Sequence, residues 1–125
     1  MKSIKYRNPD SSTNNNTIYG VDYDSSSGDF FYLGVGATYD FVSRVDRDGG
    51  FTWTRSFSQN AVRFSLMYSQ TDQIVYFTLV DSTDFIIIRI NSNSGNYLTC
   101  YDIPGIYQDS WVYACSMSSD ESAFF

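Results

Sequence analysis

Aspartates are the residues of this chain whose type and spacing could do chemistry, because 13 of the 14 acidic residues are Asp. Two groups of them have the alternating oxygen ligands of a calcium loop. These groups are Asp22-x-Asp24-x-Ser26-x-Gly28 and Asp46-x-Asp48-Gly49-Gly50. The first group has its glycine one position late for an EF-hand, and neither has the closing Glu. Since Asp is also a common turn residue, we expect all four carboxylates to be exposed in turns and to bind no metal, with calcium binding as the alternative.

Other catalytic chemistry finds little support in the sequence. The chain has no His, which excludes His-based triads, His-bearing zinc sites and imidazole acid–base catalysis. No glycine-rich phosphate loop follows a strand and opens a helix. A glycosidase needs two carboxylates that face each other across a cleft, and aspartates spread over many turns do not indicate such a pair. We therefore predict a protein that is not an enzyme, with no catalytic, cofactor-binding or metal-binding residues and no cofactor.

Two cysteines, Cys100 and Cys115, leave two possibilities open. A disulfide between them would indicate an oxidising compartment. Alternatively they are two small buried hydrophobic side chains. We expect Cys100 on an outer strand and Cys115 on an inner strand of the next unit, so the two need not lie close together.

Composition indicates a single all-β domain. The chain has 125 residues, 18% of them aromatic, and aromatic side chains suit strands whereas the strong helix formers are scarce. The net charge is −6, and the scattered Arg residues form no basic stripe, so nucleic acid is not an expected partner. No apolar run approaches the roughly 20 residues of a membrane-spanning helix.

The elements that would position these residues repeat along the chain. Residues 19–57 align without a gap on residues 64–102, an offset of 45, and both copies share apolar positions as well as Arg44 with Arg89 and Gly50 with Gly95. Each copy predicts four short strands joined by turns. The predicted strands are 17–23, 30–35, 41–46 and 51–57, then 63–68, 74–79, 85–90 and 97–102. Repeats of about 40–50 residues built of short strands are typical of β-propeller blades.

A motif on the third and fourth strands supports this interpretation. Residues 42–57 read V-S-R-V-D-R-D-G-G-F-T-W-T-R-S-F and resemble the L-I-K-L-D-x-x-G-x-x-x-W-x-K-x-Y/F unit of β-propeller repeat proteins. Residues 87–102 keep the strand and the Gly turn but have Leu98 in place of the Trp and Cys100 in place of the basic residue. The resemblance implies four-stranded antiparallel blades, and a secreted or surface-displayed protein that serves as a binding or structural array.

The expected organisation is a partial β-propeller, with a β-sandwich as the alternative fold. We assign 1–16 to an N-terminal strand and loop, 17–62 and 63–110 to two blade-like repeats, and 111–125 to the start of a third. Because Phe124 and Phe125 match the middle of a second strand, we expect the chain to be a piece of a longer one or to self-associate. The predicted function is a non-catalytic structural or protein-interaction segment of a larger extracellular or cell-surface assembly. A carbohydrate-binding, lectin-like module is the alternative.

Several side chains have expected places in this fold. Trp53 should pack between adjacent blades, and the guanidinium groups of Arg44 and Arg89 should reach turn carboxylates such as Asp46 or water. Four residues of the third strands should be buried, and four should lie at hairpin tips. The first set is Val42, Val45, Ile87 and Ile90, and the second is Asp48, Gly49, Asn93 and Ser94.

Overall fold

A computed structural model describes residues 17–35, 39–57, 62–81 and 84–103, and within these ranges the chain is all β. Its strands are β1 (Thr17–Tyr23), β2 (Phe30–Val35), β3 (Asp40–Val45), β4 (Phe51–Phe57), β5 (Val62–Ser69), β6 (Ile74–Asp81), β7 (Asp84–Asn91) and β8 (Tyr97–Ile103). The described ranges hold no helix that is long and apolar enough to cross a membrane.

The eight strands form two separate four-stranded antiparallel sheets, each in chain order. The first sheet has the order β1-β2-β3-β4 and the second the order β5-β6-β7-β8. Every hydrogen-bonded pair therefore joins strands that are neighbours in sequence. The predicted strands are confirmed, and where bounds differ the observed ones shift or extend by one or two residues.

The internal repeat is confirmed as a structural repeat. β5 begins 45 residues after β1 (62 − 17), β6 begins 44 after β2 (74 − 30), and β8 begins 46 after β4 (97 − 51). The first turn of each sheet also matches, because Gly28 and Gln73 both have a left-handed φ, of 79° and 58°. Those two residues are 45 positions apart, so the backbone keeps the turn even where the glycine is lost.

The main hydrophobic core lies between the two sheets. Strand side chains alternate between the two faces of a sheet, and we call the face that packs against the other sheet the near face. The near faces bury Phe31, Leu33, Val42 and Trp53 of the first sheet against Leu66, Tyr68, Val75, Phe77, Leu79 and Ile90 of the second. Val42 and Ile90 are buried as predicted.

The opposite faces, which we call the far faces, also bury apolar clusters. On the first sheet Tyr32, Phe41 and Val45 form a cluster, and on the second Met67, Ile74 and Tyr76 form another. Ile87, expected to be buried, is only half-buried beside the second cluster. Each sheet thus has side chains withdrawn from water on both faces, and not on one face only.

The two sheets approach most closely at their first strands. A Cβ atom placed on Gly20 of β1 would lie 2.9 Å from the backbone nitrogen of Leu66 on β5. Toward β4 the space between the sheets is instead filled by the large indole of Trp53. The gap between the sheets therefore widens from β1 and β5 toward the outer strands.

Residues 1–16, 36–38, 58–61, 82–83 and 104–125 lie outside the described ranges. The predictions that fall there are the N-terminal strand, the third unit, the place of Cys115 and the covering of Phe124 and Phe125. These stay predictions.

Burial of the far face generates the first test. Phe41→Ser should lower the free energy of unfolding by about 3–5 kcal/mol, because the ring is fully buried and its loss leaves a cavity. Val21→Ser is the matched control, since Val21 is 50% exposed and its substitution should cost about 0.5 kcal/mol or less. Urea denaturation of the three proteins measures both values. Equal, small effects at the two positions would show that this face is solvated.

Candidate functional site

Polar and aromatic groups of both sheets meet at one place, which we call the inter-sheet joint. The first sheet contributes Arg44 of β3 and Trp53 of β4, which are directly paired across the ladder. The second sheet contributes the turn between β7 and β8, residues 92–96. The joint therefore lies where the gap between the sheets is wide and side chains must span it.

Arg44 is the centre of the joint. It is only 8% exposed, and its Nε and Nη2 atoms each lie 2.7 Å from Oδ2 of Asp29. Its Nη1 atom donates to the backbone oxygen of Ser92 at 2.9 Å and to Oδ1 of Asn93 at 3.0 Å. The guanidinium also lies over the Phe31 ring, 5.4 Å from its centroid. The positive charge of Arg44 is thus neutralised by Asp29 of the first sheet, while its Nη1 atom binds the second sheet.

Arg44 reaches turn carboxylates, as expected, but Asp46 is not among them. Asp46 follows β3 directly, but its Oδ1 atom accepts hydrogen bonds from the backbone nitrogens of Asp48 and Gly50 in its own turn. Arg44 instead pairs with Asp29 and lies 3.8 Å from Asp24. Asp29 precedes Phe31 by two residues, and Phe31 pairs with Arg44. Strand alternation extended into the turn would have placed Asp29 on this face.

The indole of Trp53 also links the turn between β7 and β8 to the first sheet. Its indole Nε1 donates to the backbone oxygen of Ser92 at 2.8 Å, so this one carbonyl accepts from both Arg44 and Trp53. The ring lies against Gly95, where a Cβ atom would be 2.7 Å from the indole carbons. Gly95 also has a φ of 71°, which favours glycine. The first sheet therefore contacts the backbone of this turn. In the sequence, Gly95 is the one residue of the turn that indicates the contact.

A second polar link joins the sheets at their first strands. Oδ2 of Asp22 on β1 accepts a hydrogen bond from the backbone nitrogen of Tyr68 on β5 at 2.8 Å. Ser25 Oγ donates to Oε1 of Gln70 at 2.9 Å, turn to turn. Asp22 is thus half-buried and engaged across the sheets, which corrects its expected place as an exposed turn residue.

Asp24 also departs from its expected exposure. It is 3% exposed and accepts from Ser26 N, Ser26 Oγ and Ser27 Oγ. Burial opposes its ionisation, but the hydrogen bonds from Ser26 and Ser27 outweigh that effect and hold the pKa of Asp24 below its usual value. The charged carboxylate is therefore the form that the folded turn stabilises.

Asp48 is exposed in its turn as predicted, whereas Asp46 is half-buried at the start of the same turn. Hydrogen bonds from the backbone of Gly50 and Asp48 hold the pKa of Asp46 below its usual value. Asp48, Asn93 and Ser94 are exposed at the hairpin tips, where Gly49 is partly exposed. Within the described residues, no three Asp, Glu or Cys side chains converge in a group that could hold a metal ion.

Tyr68 packs its ring into the joint from the second sheet. Its centroid lies 4.6 Å from that of Phe31. Burial, and next the Asp24 carboxylate, raise the pKa of the Tyr68 phenol above its usual value. The phenol therefore stays protonated at neutral pH and acts as a packing group rather than a base.

Arg89, the repeat counterpart of Arg44, has different neighbours. Its Nη1 donates to Thr99 Oγ1 at 2.9 Å and to the Tyr101 hydroxyl at 3.3 Å. Its guanidinium lies 5.8 Å from the ring centroids of both Tyr76 and Tyr101. Among the described residues it forms no ion pair with a carboxylate.

Cys100 lies exposed on β8 as a free thiol. Desolvation of the sulfur and the nearby Asp102 carboxylate both raise the pKa of this thiol. It therefore stays protonated at neutral pH, which makes it a weak nucleophile.

No protein-family profile, no curated protein and no solved structure matches this chain. The charged and polar groups of the joint are directed at each other and at backbone atoms, and this arrangement holds two sheets in a fixed relation.

Removing the indole tests the joint. Trp53→Ala should cost about 3–5 kcal/mol of unfolding free energy, because it leaves a cavity between the sheets. Trp53→Phe keeps most of the ring but loses the donor to Ser92, so it should cost clearly less. Chemical denaturation with near-ultraviolet circular dichroism gives both values. Equal losses for the two variants would mean that the hydrogen bond, and not the buried ring, dominates.

Acid should weaken the joint through Asp24. Because the pKa of Asp24 in the folded protein is below its usual value, the unfolded chain binds a proton first, and stability falls as pH drops below about 4. Asp24→Asn should cost about 1–3 kcal/mol at pH 7 and should flatten that decline. Asp48→Asn, at an exposed tip, should leave both the stability and its acid slope within about 0.5 kcal/mol of the parent. Urea denaturation between pH 7 and pH 2 checks these values, and an unchanged slope in Asp24→Asn would contradict this assignment.

Proposed function

We propose that the two sheets are adjacent blades of a β-propeller-like stack. The observation that carries the proposal is burial on both faces of each sheet, with Phe41 on one far face and Met67 on the other. A two-layer sandwich buries one face of each sheet and presents polar side chains on the other. Blades in the interior of a stack are covered on both faces, as these sheets are.

Two further features support stacked blades. The first strands β1 and β5 lie close together while the outer strands diverge, which is the wedge shape that lets blades surround an axis. Each sheet is also an up-and-down meander with the same strand order, whereas most sandwiches exchange strands between sheets through Greek-key connections.

The function that fits this arrangement is a non-catalytic structural or protein-interaction segment of a larger assembly. The buried ion pair of Arg44 and Asp29 and the Trp53 hydrogen bond act on the protein's own backbone. Groups held this way set geometry and are withdrawn from any substrate. The resemblance of the 42–57 motif to propeller repeats supports an extracellular or cell-surface location within this proposal.

A carbohydrate-binding module is the second candidate. Its support is a set of Tyr side chains about half-exposed on β1, an edge strand of the first sheet, and β8, an edge strand of the second, and sugar rings commonly pack on such aromatic faces. These residues are Tyr19, Tyr23, Tyr97 and Tyr101. They lie on two different sheets, so they suggest separate contacts rather than one cleft.

A glycan screen separates the two candidates. For the structural function we expect no shift in melting temperature with any glycan pool, because no described cluster of Tyr side chains encloses a ligand. The control is the Tyr97→Ala variant, which removes an exposed ring and should melt like the parent. A glycan that raises the melting temperature of the parent, and not of Tyr97→Ala or Tyr23→Ala, would establish the lectin-like function in place of the structural one.

A further inference from the structure

We propose that the outer part of the far face of the second sheet docks the β3–β4 hairpin tip of a second copy of this chain. We call this surface the hairpin socket and define it by Arg89, Thr99 and Tyr101. The docked tip is residues 46–50 of the other copy. This inference rests on the proposed stacking, because it takes the contact between the two sheets as the template for a contact between two chains.

The socket repeats the centre of the inter-sheet joint. Arg89 follows Arg44 by 45 residues. In each sheet the guanidinium lies over an aromatic ring of the second strand, Phe31 at 5.4 Å and Tyr76 at 5.8 Å. Arg44 pairs with Phe31 and so lies on the near face of the first sheet. Arg89 pairs with Tyr76 and so lies on the far face of the second sheet.

What differs is the counter-charge. Arg44 has two carboxylates beside it, Asp24 and Asp29, whereas the residues 45 positions later are Ser69 and Ile74. Among the described residues Arg89 donates to two neutral hydroxyls and pairs with no carboxylate, and its Nε atom is buried without a hydrogen-bond partner there. A partly buried cation without a carboxylate favours an anionic partner from outside the sheet.

The β3–β4 tip offers the required groups. Arg44 receives the backbone oxygen of Ser92 and Oδ1 of Asn93 from the β7–β8 turn. The matching positions of the β3–β4 turn are Arg47 and Asp48. Asp46 and Asn91 cap the two turns alike, since Oδ1 of each accepts the backbone nitrogen two residues later. The tip therefore offers the backbone carbonyl of Arg47 and the carboxylate of Asp48. At the joint, Arg44 binds the backbone carbonyl of Ser92 and the side-chain amide of Asn93.

Exposure allows this contact on both partners. Asp48 is exposed at its tip, and Thr99 and Tyr101 are exposed on β8. The inner part of the far face, at Met67, Ile74 and Tyr76, is already buried within the chain, so the docking is confined to the socket. Socket and tip are different surfaces, so copies join head to tail rather than as a symmetric pair.

Charge reversal tests the contact. Sedimentation equilibrium of the full chain should show reversible self-association. Arg89→Glu and Asp48→Arg should each raise the dissociation constant at least about tenfold, because each places like charges opposite one another. Asp72→Arg is the matched control, since Asp72 is also exposed at a turn tip but lies outside the contact, and it should associate like the parent.

Mixing the variants isolates the intermolecular pair. At a concentration near the dissociation constant of the parent, Arg89→Glu and Asp48→Arg should each stay largely monomeric alone, but an equimolar mixture should associate, because opposite charges then face each other at both kinds of contact. Thermal melts of each variant confirm that it is folded. A parent that stays monomeric at all concentrations, or a mixture that stays monomeric, would overturn the inference. Self-association that the single variants leave unchanged would reject the socket but not the structural function, which the glycan screen tests separately.

Discussion

A guanidinium withdrawn from water has to be neutralised and hydrogen-bonded, and the packing of the two sheets depends on how Arg44 meets that requirement. Removing an ion from water costs several kcal/mol unless partners replace its hydration. Asp29 supplies the charge from the same sheet, while Ser92 and Asn93 supply acceptors from the other. Because the acceptors belong to the second sheet, the sheets cannot slide or separate without leaving the cation partly unsatisfied. Apolar burial supplies most of the attraction between the sheets, and Arg44 fixes their register.

The turns carry out one physical task with different residues. Asp24, Asp46 and Asn91 each accept backbone hydrogen bonds from residues just ahead of them, and Ser69 does the same through its hydroxyl. These short side chains satisfy amide groups that a tight reversal leaves unpaired. The shared task explains why the two repeats have the same pattern of strands and turns but few identical residues. It also explains why two of the carboxylates spaced like calcium ligands, Asp24 and Asp46, accept hydrogen bonds from donors of their own turns.

Strands and turns could be predicted from the sequence, whereas the joint could not. Alternating apolar residues and glycine-bearing turns fix strand bounds because those signals are local, and β1, β2 and β4 were predicted with the observed bounds. Trp53 was expected between the sheets because a large ring after a turn suggests packing. The acceptors that Arg44 finds on the second sheet, at Ser92 and Asn93, depend instead on which faces of the two sheets meet, and no single strand encodes this. The burial of Asp24 and the reach of Asp22 to Tyr68 likewise follow from sheet stacking, so they were missed.

The strict neighbour-to-neighbour pairing of strands has a consequence for how the molecule is assembled in time. Each sheet closes only short hairpin loops, so the entropy of loop closure is small and local pairing can precede any meeting of the sheets. The contacts of Arg44 and Trp53 join residues 39 to 49 positions apart and form after that. Folding free energy then approaches a sum of sheet terms and interface terms, as in linear repeat arrays. Cooperativity between the units resides in the interface alone, so weakening the joint would uncouple two unfolding transitions that otherwise coincide.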